Sequence, residues 1–159
     1  MIKLIGLYKY DKFEVDIMRK RDLTFASAVL EAISAILAVA YIGLQIYYGV
    51  YYHIEVFKFI ANILVLVLAY IGITWVQHYP EKLNHIPPEL CTGNIRTYSL
   101  RLLMFVKFVF TAGLLVPCVC DAVGIGIRDV YSLIMIGLIL VVSVYYEYRI
   151  IQEIRSMRK

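Results

Sequence analysis

Hydrophobic positions fall in four long runs, about 24–48, 57–76, 99–120 and 130–146, and charged, proline and glycine residues return between them. Each run is continuously apolar. It shows neither the alternation of a half-buried strand nor the ten-residue units of a membrane barrel. Each also has roughly the 17 to 25 residues that a helix needs to cross about 30 Å of hydrocarbon. The pattern predicts an all-α fold: an integral membrane bundle of four transmembrane helices, with residues 1–159 forming a single membrane domain.

The flanks predict the rest of the layout. Residues 1–23 carry Ile2, Leu4, Ile5 and Tyr8 at spacings that suit a helix lying on the membrane, although Phe13 to Ile17 alternates as a strand would. Residues 77–98 form a loop with three of the four prolines; Pro87-Pro88 bars a helix there, and Thr92-Gly93-Asn94 reads as a turn. Residues 147–159 extend the fourth helix beyond the bilayer with an apolar side of Ile150, Ile151, Ile154 and Met157. The remaining connections, Gly49 to Val56 and Asp121 to Asp129, are short, so spans one and two, and three and four, are expected to pair as antiparallel neighbours.

Composition agrees with a bilayer solvent. The chain is 62% hydrophobic and 18% charged, against about 45–50% and about 25% for a soluble domain. Ala38-Val39-Ala40 has the small-x-small form of a signal-peptide cleavage site, but the run is too long and Asp11, Glu14, Asp16 and Asp22 precede it; it reads as a retained span.

Charge then sets orientation. Lys3, Lys9, Lys12, Arg19, Lys20, Arg21, Lys82, Arg96, Arg101, Arg149, Arg155, Arg158 and Lys159 lie on one side, and Lys58 and Arg128 on the other. Thirteen against two predicts cytoplasmic N- and C-termini, in a plasma (inner) membrane. The net charge of +4 is thereby read as a topology signal, with anionic inner-leaflet lipid as the partner and no nucleic acid. Tyr47, Tyr48, Tyr51 and Tyr52 at one level, and Tyr79, Tyr98, Tyr145, Tyr146 and Tyr148 at the other, read as belts that fix helix depth.

Two ionisable residues lie within the spans, and such groups are functional candidates because burying charge in hydrocarbon is costly. Glu31 is seven residues after Thr24 and Lys107 eight after Ser99, so at the helical rise they sit at matched depths of about 10 and 12 Å. Their expected neutralising pair is either a structural tie or a site that titrates during transport. Ser27, Ser34 and Ala38 recur with Glu31 at helical spacing and form a small face suited to close helix packing.

Gln45 in span one and Asn62 in span two are candidates for hydrogen bonding near the outer third of the membrane, and Arg101 for a meeting with Glu147 near the inner face. No span carries a continuous polar stripe, which argues against a water-filled pore within one monomer. In GLLVPCVCD, Pro117 is expected to kink or end the third helix. Cys118 and Cys120 point to opposite sides of a regular helix, which disfavours a mutual disulfide; Asp121 and His53 complete no metal-ligand spacing with them. No metal or cofactor is expected.

His85 and Cys91 form a weaker catalytic candidate, since an imidazole lowers a thiol's pKa and shuttles its proton. Their His85-x5-Cys91 spacing resembles the cytoplasmic His and Cys of membrane peptidases that process bacterial quorum peptides, but the basic Gly-Gly segment of those enzymes is absent. AVLEAIS places Glu31 as small four-helix multidrug exporters place a first-helix carboxylate, while the long loop and Lys107 depart from that pattern. The favoured function is a homo-oligomeric pore, transport-associated or signalling subunit, assembled with itself or a membrane partner. The alternatives are a membrane cysteine peptidase and a pure scaffold.

Overall fold

The computed structural model describes residues 25–52, 55–80, 91, 93–126 and 130–157. They form four helices: α1 (Phe25–Tyr51), α2 (Val56–His78), α3 (Gly93–Val123) and α4 (Val130–Met157). All four are long and apolar enough to cross a membrane, and no strand occurs among the described residues. The chain is a small multi-pass helical membrane protein. The N-terminal segment 1–23, Pro87-Pro88, His53 and His85 lie outside the described residues.

α3 is the hub. It packs against each of the other helices, α1 and α2 touch more sparingly, and α4 packs on α3 alone. Short loops do make α1 and α2 neighbours, but the principal partner of α1 is α3, two elements later. The reason lies in the faces. In lipid, hydrocarbon burial gives little drive for helix association, so close packing and polar contacts decide which surfaces meet. The buried positions of α1 are Ser27, Ser34, Tyr41 and Gln45, spaced by two turns or one, and α3 answers with Ser99, Leu103, Lys107 and Thr111. The small hydroxyls bond back to their own helices: Ser34 Oγ donates to the Leu30 carbonyl (2.8 Å), Ser99 Oγ to Ile95 (3.0 Å) and Thr111 Oγ1 to Lys107 (2.9 Å). With their polarity satisfied locally, they act as small surfaces that let two backbones approach.

Two boundaries differ from expectation. α3 begins at Gly93, inside the stretch read as loop, because Ile95 and Tyr98 have a surface to pack on: with Cys91 they meet Ile150 and Ile154 of α4. The apolar side of the tail is thus covered in part by the start of α3, while Ile151 and Met157 stay exposed. At its other end α3 runs through Pro117 and past the expected limit of Cys120 to Val123. Proline lacks an N–H, so the Gly113 carbonyl four residues earlier loses its helical donor. The Tyr131 hydroxyl of α4 supplies a replacement at 3.4 Å.

The helix ends at Gly124, whose φ of +76° suits glycine. Gly124 N–H donates to the Asp121 carbonyl (3.2 Å) and Ile125 N–H to Cys120 (2.8 Å), the double closure of a Schellman turn.

Candidate functional site

Three helices converge on Lys107. It stands midway along α3 with its side chain fully enclosed, whereas that of Glu31 on α1 keeps 35% of its surface exposed. Lys107 Nζ donates to Glu31 Oε1 and to Thr74 Oγ1 of α2, the latter at 2.8 Å. It also sits 3.8 Å from the centre of the Tyr70 ring, where the π face attracts a cation. Each of the three ammonium protons therefore has a destination. Thr74 is held in turn, its hydroxyl donating to the Tyr70 carbonyl at 2.7 Å.

The partner carboxylate is held less completely. Gln77 Nε2 approaches Glu31 Oε2 at 3.5 Å, the long limit of a hydrogen bond. A carboxylate has about four lone-pair sites, so Glu31 retains acceptor capacity. It borders a cleft of about 240 Å³, shared with Gln77 and His78 of α2 and Arg96, Leu100 and Met104 of α3. One charge is thus fixed and sealed, and the other faces a cleft whose exposed lining is mainly hydrocarbon, with Gln77, His78 and Arg96 among its bordering residues.

A second polar cluster joins the same helices near their other ends. Asn62 Nδ2 of α2 donates to Gln45 Oε1 (3.2 Å), and Gln45 Nε2 donates to Cys118 Sγ of α3 (3.2 Å). The Tyr48 hydroxyl donates to the Cys118 carbonyl at 3.0 Å. Cys118 and Cys120 are both free thiols, and no group of three or more His, Cys, Asp or Glu side chains assembles among the described residues.

The other sequence candidates are placed as follows. Ser27 and Ser34 are buried and Ala38 is half-buried, on the side of α1 that carries Glu31. Arg101 and Glu147 form no ion pair; Arg101 lies beside Tyr146 and Ser27, and Glu147 is exposed on α4. Near that end α3 and α4 are tied instead by Asn94 Nδ2 donating to Glu153 Oε1 at 2.7 Å. Cys91 is 4% exposed and packed against Ile95 and Ile150. Sequence reasoning missed Tyr70, Thr74 and Gln77. Their spacing of four and three residues places them on one face of α2, and that was the available signal.

Comparison with protein-family models, curated proteins and solved structures yields no match to this chain.

Proposed function

We propose that the protein is a transport-associated subunit of a membrane assembly, formed with copies of itself or with a membrane partner, in which Glu31 is the exchangeable charge. The observation that supports this is the asymmetry of the pair, an enclosed Lys107 against a Glu31 open to a cleft. A proton taken up at Glu31 would leave Lys107 as a buried cation without its counter-ion. Separating such a pair by losing one partner is worth about 3–5 kcal/mol, enough to drive a rearrangement of the helices around it. Thr74 and Tyr70 bring α2 into that coupling, so a change at Glu31 reaches three helices at once. Assembly enters because no single span offers a continuous polar path, while α4 leaves most of its surface uncovered by the other helices.

Proton and ion flux into liposomes carrying the purified protein tests this reading. Glu31→Gln should abolish flux while leaving the mass of the assembly unchanged. Absence of flux from the wild type, with Glu31→Gln acting only on stability, would instead make the pair a fixed tie in a scaffold. The peptidase alternative predicts a processing reaction lost in Cys91→Ala, and the burial of that thiol gives it no support.

A further inference from the structure

Because α1 and α4 both pack on α3 but not on each other, a strip of α3 is left open between them. At the end where α1 and α3 begin, this strip becomes a groove of about 440 Å³, walled by Ser27 and Leu30 of α1, Met104 and Phe105 of α3, and Tyr146 of α4. Arg101 is the charged member of its lining. We propose that this groove binds one anionic phospholipid, with its phosphate on Arg101 and a hydrocarbon chain along Leu30, Met104 and Phe105.

Three observations carry the assignment. Arg101 is half-buried on a membrane-crossing helix and forms no ion pair with any described residue. By contrast, the fixed cation six residues further along, Lys107, has a carboxylate, a hydroxyl and a ring around it. A guanidinium in a low-dielectric setting without a counter-ion favours an external anion, and its planar fork matches phosphate oxygens.

Position is the second observation. Arg101 lies eight residues into α3, about 12 Å from its start, and some 9 Å short of Lys107. That is the end where Arg96, Arg149 and Arg155 also gather, and basic pockets between helices near a bilayer surface are suited to acidic head groups. The third is the remainder of the wall. Apart from Arg101, Ser27 and the hydroxyl of Tyr146, it is hydrocarbon and aromatic ring, with Phe105 and Tyr146 packed at a centroid distance of 6.0 Å. An occupant must therefore pair an anionic group with an apolar chain. This groove adjoins the Glu31 cleft through Met104, which lines both, but its Arg101 end does not border that cleft and the proposal does not depend on the transport reading.

Native mass spectrometry of the full chain in detergent, titrated with dioleoylphosphatidylglycerol or dioleoylphosphatidylcholine, tests the proposal. The wild type should retain the anionic lipid roughly five- to tenfold better, the worth of one well-placed arginine. Arg101→Gln should bring the ratio close to one, Arg101→Lys should keep part of it, and Arg155→Gln, on the exposed last turn of α4, should keep all of it. Leu30→Trp, which fills the apolar half, should lower retention of both lipids. A ratio near one in the wild type, or an undiminished ratio in Arg101→Gln, overturns the proposal. So does a preference that appears only after Asp16→Asn and Asp22→Asn, which would give the groove to the chain's own acidic segment. A Leu30→Trp change in assembly mass with lipid retention unaltered would give it to a second copy and overturn the proposal as well.

Discussion

The two polar clusters join the same three helices at separate depths, and they do so with different chemistry. Along α1, Glu31 and Gln45 are 14 residues, or about 21 Å, apart. The Gln45 cluster is neutral: an amide links another amide to a thiol, and a tyrosine hydroxyl caps a carbonyl. The Lys107 cluster is charged, sealed on one side and open on the other. Neutral groups inside a bilayer find substitute partners in the separated state, so their bonds contribute modestly, about 0.6 kcal/mol on average. A charge has no such substitute. Two clusters of similar appearance therefore differ several-fold in what their loss should do.

The largest effect should come from breaking the charged pair. Glu31→Gln is expected to destabilise the protein by about 3 kcal/mol, at the lower end for a buried pair because Glu31 is partly open. Lys107→Met should act similarly. The double variant should lose much less than the sum, since neither charge is then left without its partner. Reversible unfolding in mixed detergent reads all three, and strictly additive losses would show that the two residues do not act as a pair.

A middle-sized effect should separate the clusters directly. Thr74→Val removes one of the destinations of the Lys107 ammonium while preserving shape, and about 1 to 2 kcal/mol should follow because the donor is charged. Asn62→Leu, which removes a single bond of the neutral cluster, should lose about 0.6 kcal/mol. Equal losses, measured in the same unfolding assay, would remove the distinction between charged and neutral ties.

The four spans were legible because continuous apolar runs admit few structures in lipid, and matched depth was enough to nominate Glu31 with Lys107. What escaped was set by contacts between distant segments. Hydropathy ended the third span at Ser99 because Asn94, Arg96 and Thr97 are polar, yet α3 starts at Gly93, where Ile95 gains the cover of Ile150. Loop length made α1 and α2 neighbours, as they are, but it carried no sign that the small residues of α1 would make α3 its principal partner. Thr74 has an ordinary place in an apolar span, and its part in holding Lys107 depends on how α2 is rotated about its axis. The local clue to that rotation is the Tyr70, Thr74 and Gln77 spacing, a faint signal on a helix that is otherwise hydrophobic nearly all round.

The smallest expected effect tests how the neutral end tolerates Pro117. Tyr131→Phe removes the hydroxyl that lies 3.4 Å from the Gly113 carbonyl, a long bond that should be worth no more than about 0.5 kcal/mol. The sharper measurement is its dependence on proline. In a Pro117→Ala background the new N–H can donate to Gly113 within the helix, so the same Tyr131→Phe change should have no effect on stability. If the tyrosine hydroxyl mattered equally in both backgrounds, it would be acting on α4 packing and not on the carbonyl that proline exposes. Loss confined to the proline background would show that α4, which contributes no side chain to either interhelical cluster, supports the helix that both clusters share.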